Sequence, residues 1–459
     1  MTRRLVVRGL LVGLFTCSLA QVASGQTSWW RTFGDSLADN GNAVRQTADG
    51  GYIVGGSTAS FGAGATNVYL IKTSATGDEV WTGVWGDSMD EGGSSVLQTA
   101  DSGYVVAGYT GSFGAGGHDV WLIRTNAQGG TVWTRTFGGG GGDQGNSVAP
   151  TSDGGFIVAG YTWSFGAGNA DVYLIKTSAA GDTDWTRTYG GASGDEGYSV
   201  QQTADGGYVV AGVTRSFGAG IADVYMIKTD ATGGVIWTRT YGGTSNDEGY
   251  AVRQTADSGY IIAGYTSSFG AGNQDVYLIR TDAAGDTLWT RTFGGNLRDW
   301  GNSAEAVVGG GYIVTGATRS FGAGGQDIYL VMTDTAGDTV WTRTYGGTGS
   351  DEGNSVQPTA DGGWVIAGST TSFGAGNADV YLIKADANGY VDVTESFQPQ
   401  ARSGKCAATV IRVLPQDAVA FDAMGRRVLK TRPGVYFVRE EPPASDGKSP
   451  TVRKVVVTR

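Results

Sequence analysis

The sequence predicts an all-β chain: a seven-bladed β-propeller of 52-residue, four-stranded blades, its ring closed by an N-terminal strand, followed by a small C-terminal β-sandwich-like domain. Three observations predict it. The pentapeptide S-F-G-A-G starts at Ser60, Ser112, Ser164, Ser216, Ser268, Ser320 and Ser372, seven copies at a constant step of 52 residues. A fixed period of this size marks a repeat architecture. Each period splits into four strand-like runs with no helical periodicity. Finally, 80 of 459 residues are glycine and only 8 are proline. Collagen needs abundant proline, and a disordered linker would lack the 13 Trp, 21 Tyr and 15 Phe found here. The glycine therefore belongs to tight turns in a folded protein.

The third unit shows the elements in order. Asn146–Thr151 is a short run of small residues. Phe156–Thr162 and Asp171–Thr177 are apolar on both faces, as expected of strands sandwiched between neighbouring blades. Asp182–Tyr189 alternates, with Trp185, Arg187 and Tyr189 on one side, as expected of an outer edge. The turns are Ser152-Asp153-Gly154-Gly155, the long S-F-G-A-G loop, and Ser178-Ala179-Ala180-Gly181, with glycine supplying positive φ. A 52-residue unit is long for a solenoid coil and short for a sandwich domain. The outer-strand motif W-T-R-T-Y/F extends back to Trp29 and, in degraded form, forward to Val393–Phe397. It thus has eight copies against seven for the other strands. Trp29–Gly34 keeps the Trp and is the preferred closing strand.

The expected domains are a secretory signal at 1–25, the propeller at 26–397 and the tail at 398–459. Arg3, Arg4 and Arg8 precede an apolar stretch, Gly9–Ala20, and Ala23-Ser24-Gly25 offers a cleavage site. That stretch is too short to span a bilayer, and no later segment is long enough. A lipoprotein role for Cys17 fits less well, because Phe15 and Thr16 precede it. After cleavage one cysteine, Cys406, remains, so stability must come from packing rather than a disulfide. The formal charge of −11 hides a split: 26–400 carries −21 and 401–459 carries +7. An acidic body disfavours nucleic acid and anionic surfaces and suits cations, neutral glycans or basic proteins.

The run Val172–Trp185 resembles the third-strand, turn and fourth-strand Trp motif of quinoprotein-type propellers. The whole unit, as in Asp195–Gly212 (D-E-G-Y-S-V-Q-Q-T-A-D-G-G-Y-V-V-A-G), resembles secreted bacterial repeat propellers, a resemblance covering 29–397 that implies architecture and no particular activity. In the tail, Val419–Val428 reads strand–turn–strand, Pro433–Arg439 is a further strand and Val452–Thr458 another. This tail is similar to the C-terminal sorting domain of type IX secretion cargo. The resemblance implies export through the outer-membrane machinery to the cell surface or beyond.

The S-F-G-A-G loops and the crossovers between blades must share one face, around the channel mouth. That face is the tentative ligand face. One acidic series lies on it: Asp39, Glu91, Asp143, Asp195, Asp247, Asp299 and Asp351. A second series opens the third strands: Asn67, Asp119, Asp171, Asp223, Asp275, Asp327 and Asp379. As a ring these carboxylates would bind Ca²⁺ or a polyamine-like cation; as turn residues they accept hydrogen bonds from their own loops. The turn reading is preferred, because every blade needs the same turn. No catalytic, cofactor or metal residue stands out. Asp-x-x-Gly turns lack the ligand pattern of a calcium loop, and the glycine motifs lack the Lys-Ser/Thr and helix of a phosphate loop. His118 is the lone histidine, so His-based triads and metal clusters are excluded.

Asymmetry marks unit six. Leu297-Arg298-Asp299-Trp300 replaces the usual small residues, Ala304–Val308 departs from V-Q-Q-T-A, and Met332 replaces a Lys/Arg. Arg298 and Trp300 suit contact with a sugar or a protein. The expectation is an exported, monomeric, non-enzymatic propeller binding a protein or glycan. A secreted carbohydrate-active enzyme using paired carboxylates and a quinoprotein-like oxidoreductase are the alternatives.

Overall fold

A computed structural model describes residues 28–391 without a break, and strand segments 409–411, 419–421, 427–428, 434–440 and 451–457 beyond them. The expected signal at 1–25, Cys17, Cys406 and the run 393–397 lie outside the described residues. The chain divides into two units at residue 393.

The first unit is the expected propeller: seven four-stranded antiparallel sheets and no helix among the described residues. In the third blade the strands are Asp143–Pro150, Phe156–Thr162, Asp171–Thr177 and Thr183–Tyr189. The second and third match the sequence reading to the residue. The innermost begins three residues earlier than expected, at Asp143 rather than Asn146. The Asp-x-Gly that reads as a turn is a bulged strand: Gly145 pairs with Gly160 and Ser147 with Ala159, leaving Asn146 as the extra residue.

The bulge explains an invariant glycine. A Cβ on Gly160 would lie 1.8 Å from the Gln144 carbonyl oxygen and 3.0 Å from the Gly145 Cα, all backbone atoms that cannot step aside. The same approach recurs at Gly56, Gly108, Gly212, Gly264, Gly316 and Gly368. Only glycine lets the second strand lie this close to the bulge.

The core lies between blades. One face of blade three (Ile157, Ala159, Val172, Leu174) packs on the opposite face of blade four (Tyr208, Val210, Tyr225, Ile227), all buried. Each middle strand thus meets one neighbour with its odd positions and the other with its even ones, so it is apolar on both faces. At the rim, Trp185 packs edge-on against Tyr208 with ring centres 5.8 Å apart. Arg187 lies over the Trp185 ring at 5.5 Å, and the Tyr189 hydroxyl donates to the Gly233 carbonyl at 2.7 Å. The alternation of W-T-R-T-Y is therefore an outer strand gripping the next blade.

The ring closes as expected. Trp29–Phe33 pairs antiparallel with the third strand of the last blade, from Trp29↔Lys384 to Phe33↔Val380. Trp29 then meets Tyr52 of blade one at 5.6 Å, as the other outer-strand tryptophans meet their neighbours.

In the second unit the described strands form one five-stranded sheet. Gly434–Glu440 and Thr451–Val457 pair antiparallel along their whole length. Thr409–Ile411 adds a parallel edge strand that the sequence reading lacks.

Substituting Gly160→Ala forces backbone against backbone. It should cost at least the ~1–3 kcal/mol of an overpacked core, read as a lower midpoint in denaturant unfolding. An unchanged midpoint would mean the bulge is not held as described.

Candidate functional site

The loop-rich face is built on buried carboxylates. Asp39, Glu91, Asp143, Asp195, Asp247, Asp299 and Asp351 open the innermost strands and are fully buried. In blade four, Asp195 Oδ2 accepts from the Gly191 amide at 2.8 Å and from Ser216 Oγ at 2.6 Å. Ser216 is the serine of S-F-G-A-G, so the carboxylate clasps the crossover to the long loop of its own blade. The clasp repeats at Asp39–Ser60, Asp143–Ser164, Asp247–Ser268, Asp299–Ser320 and Asp351–Ser372. Glu91 instead accepts from the Ser112 and Asp87 amides. At least one oxygen of each carboxylate is thus engaged by its turn, while Oδ1 of Asp39, Asp143, Asp195 and Asp247 is buried with no hydrogen-bond partner among the described residues; of the predicted residues, Arg298 and Trp300 line a recess at the mouth.

The second series sits beside the first. Asp171 Oδ2 accepts from the Ala167 amide at 2.7 Å. A Cβ on Gly190 would lie 2.0 Å from Asp171 Oδ1 and 2.7 Å from Asp195 Oδ2, so a glycine separates the paired carboxylates. Burial, reinforced by the Asp195 charge, pushes the Asp171 carboxyl up; Asp119, Asp223, Asp275, Asp327 and Asp379 are raised chiefly by burial too. Blade one differs: Asn67 donates to the Phe61 carbonyl at 3.0 Å. Among the described residues, no three or more His, Cys, Asp or Glu side chains are grouped to hold a metal ion.

The blades differ at the mouth. The middle residue of each D-x-G is Asn40, Gly92, Gln144, Glu196, Glu248, Trp300 and Glu352 in turn. Those of blades six and seven, Trp300 and Glu352, border a recess of about 310 Å³ lined also by Tyr250, Tyr265, Gln274, Arg298, Asn302 and Arg319. The Trp300 indole N–H donates to Glu352 Oε1 at 2.9 Å, and Asn302 Nδ2 donates to the same oxygen at 2.8 Å. The carboxylate therefore fixes the indole across a blade boundary. The Tyr250 hydroxyl donates to Glu248 Oε2 at 2.9 Å, and burial keeps this phenol protonated by pushing it well above its ordinary value. Tyr250 stacks 5.9 Å from Tyr265. Glu196 accepts from the Tyr198 hydroxyl at 2.8 Å and pairs with Arg215 at 3.2 Å. Arg298 and Arg319 are exposed and adjacent, since the Arg319 amide donates to the Arg298 carbonyl at 2.9 Å. Neither guanidinium has an ion-pair or hydrogen-bond partner among the described residues.

Arg298 and Trp300, picked out in the sequence, thus lie in one recess. Tyr250, Tyr265, Arg319 and Glu352 were missed. Comparing the same position across the repeats does not single them out, because Tyr198, Tyr109 and Tyr161, Arg215 and Glu196 stand at the same positions in other blades. Of the other breaks of unit six, Glu305 lines the channel and Met332 lies toward the opposite face. Lys176 there bridges Asp153 at 2.8 Å and Asp184 at 3.1 Å. Blade six loses both partners of the shared bridge together, with Met332 and Gly309 in their places, and Val307 and Met332 join an apolar cluster. His118 is exposed and stacks on Tyr109 at 4.9 Å.

The chain is therefore a seven-bladed β-propeller whose mouth carries a recess lined by aromatic and arginine side chains in blades five to seven. No protein-family model matches it. It is 27% identical over 199 residues to the Regulatory protein FlaEY of Caulobacter vibrioides, which is 37% of this chain and 21% of that protein; the match thus spans about a fifth of that relative. Among solved structures it is similar to Sqt1 from Chaetomium thermophilum (11% identity, TM-score 0.41, 78% of this chain and 100% of that one). It is also similar to a chain of the BBS1N–ARL6DN complex (9%, TM-score 0.43, 78% and 97%). A Bacteroides caccae protein of unknown function matches at 13% identity and TM-score 0.38, over 62% and 92%.

The raised Asp171 carboxyl gives a signed pH prediction. Its contribution to stability is fully present below the unfolded value near 4 and is lost as pH rises through the higher folded value. Asp171→Asn keeps an acceptor for Ala167 and removes the repulsion. It should raise the thermal midpoint at neutral pH, and the gain should vanish toward about pH 3. A lower midpoint at neutral pH would show that Asp171 is needed ionised.

Proposed function

We propose that the chain is an exported, non-catalytic propeller that binds a glycan or protein at or beyond the cell surface through the recess of blades five to seven. The observation that carries this reading is the recess itself. An indole held by Glu352, two tyrosine rings and two unpaired guanidiniums meet in one recess. Aromatic faces take the apolar faces of sugars or buried side chains, and guanidiniums take hydroxyl, carbonyl or carboxylate oxygens. The mouth carboxylates Glu196, Glu248 and Glu352 each already accept from a phenol, indole or amide, which favours binding over acid–base chemistry. Export rests on the signal-like 1–25 and the sorting-like 398–459.

The test is a glycan and protein array probed with the full mature chain. Trp300→Ala should weaken the ligand found at least tenfold, the effect of losing an interfacial aromatic anchor, with no turnover of the ligand. Unchanged affinity in Trp300→Ala and Arg298→Ala, or hydrolysis of the ligand, would contradict the reading. A reporter fused to 398–459 should leave the periplasm of a type IX-competent host; its retention there would contradict the export claim.

A further inference from the structure

Behind the mouth, a cavity of about 400 Å³ follows the innermost strands. Its deeper level carries charge: Arg45, Arg253 and Glu305 line it, with Gln201, Gln357, Leu97 and Ala149 at the equivalent positions. Glu305 is engaged through one oxygen. Its Oε1 accepts from Arg253 Nε at 2.8 Å and Gln357 Nε2 at 2.6 Å, and pairs with Arg253 Nη2 at 2.7 Å. Arg45 has no such partner. Its one protein contact is Nη1 donating to the Val44 carbonyl at 3.0 Å, which leaves Nε and Nη2 without acceptors among the described residues. Burial, and next the like charge of Arg253, lower this guanidinium from 12.5 to about 10, with the Glu305 charge partly opposing them. Gln201 spends its Oε1 on the Gln254 amide at 2.7 Å, so its side-chain nitrogen also lacks an acceptor.

The contrast within the protein is sharp. The buried third-strand cations Lys72, Arg124, Lys176, Lys228, Arg280 and Lys384 each bridge an aspartate. Arg45 is a half-buried cation with no ion pair of its own; Glu305, whose charge also acts on it, is hydrogen-bonded to Arg253 and Gln357. A guanidinium edge that faces a cavity with no acceptor on the chain is a ready donor pair for an anion entering that cavity.

We infer that the channel is a binding site for a small oxyanion, a carboxylate or phosphate-type group, held by the free edge of Arg45 with Gln201 as a further donor. The planar guanidinium fork matches two oxygens of such a group. The inference stands apart from the mouth reading, because its residues are different.

The test is thermal unfolding of the full mature chain titrated with sodium acetate and, separately, sodium phosphate, against sodium chloride at equal ionic strength. A saturable rise of the midpoint with acetate supports a carboxylate ligand; one with phosphate supports a phosphate-type ligand. Arg45→Gln should weaken the effect at least tenfold and leave the anion-free midpoint equal or higher. Arg298→Ala with Arg319→Ala at the mouth should keep the effect in full. Should Arg45→Gln fail to fold, Arg45→Lys, which keeps charge but loses the fork, should show weakened saturation. No saturable rise in the parent chain, or full retention in the Arg45 variant that folds, would overturn the inference.

Discussion

Each blade of this chain is a sheet with two apolar faces, and neither face can be buried except by another blade. Seven wedges must therefore stack until the last meets the first. The junction that closes the ring uses the bonds of the others. Asn354 Nδ2 donates to the Gly41 carbonyl at 3.1 Å and the Val44 amide to Ser355 Oγ at 3.2 Å. Asn146 and Gly197, and Val200 and Ser147, make the same pair of bonds in mid-ring at 2.9 and 3.3 Å. Val365, Ala367, Val380 and Leu382 of the last blade pack on Val44, Tyr52 and Val54 of the first. Trp29, from the N-terminal end of the propeller, completes that cluster. Closure leaves no blade face open to water, which is how a chain without a helix or a disulfide among the described residues buries its apolar surface.

Closure also explains why so much of the sequence repeats. A wedge angle held seven times needs the same bulge and close-approach glycine in each blade, with a carboxylate clasp taken by the serine hydroxyl in six blades and by the Ser112 amide in blade two. The acidic series belongs to this machinery. Asp195 and its equivalents tie crossover to loop, and that tie holds the mouth in shape. What varies is what closure does not need: the residue after each Asp, the residue following the second strand, and the channel position that holds Arg45, Leu97, Ala149, Gln201, Arg253, Glu305 or Gln357. Repetition and function thus occupy different positions of the same 52-residue unit.

The architecture was legible because the period and the strand patterns are physical consequences of closure. Phe156–Thr162 and Asp171–Thr177 could be bounded from sequence, since double-faced apolar runs end where turns begin. The start of the innermost strand was not, because Asp143-Gln144-Gly145 has turn composition and only the register with Gly160 shows a bulged strand. Arg298 and Trp300 stood out by size against their neighbours. Glu352 did not, because its chemistry lies in accepting from Trp300 in the adjacent blade, 52 residues away. Arg45 could not be recognised either: an arginine in V-R-Q becomes unusual only when the ring sets it beside Arg253 and gives Glu305 to another partner.

The central claim is that shared positions build the ring and divergent ones build the site. It is tested by giving the recess the residues of other blades: Arg298→Asn as in Asn246, Trp300→Gln as in Gln144, and Arg319→Ser as in Ser267, together in the full mature chain. The account predicts an unfolding free energy near that of the parent, within the ~0.5 kcal/mol per site usual for surface changes, and loss of the ligand found for the parent. Unfolding of the ring, or binding kept at parental affinity, would contradict it.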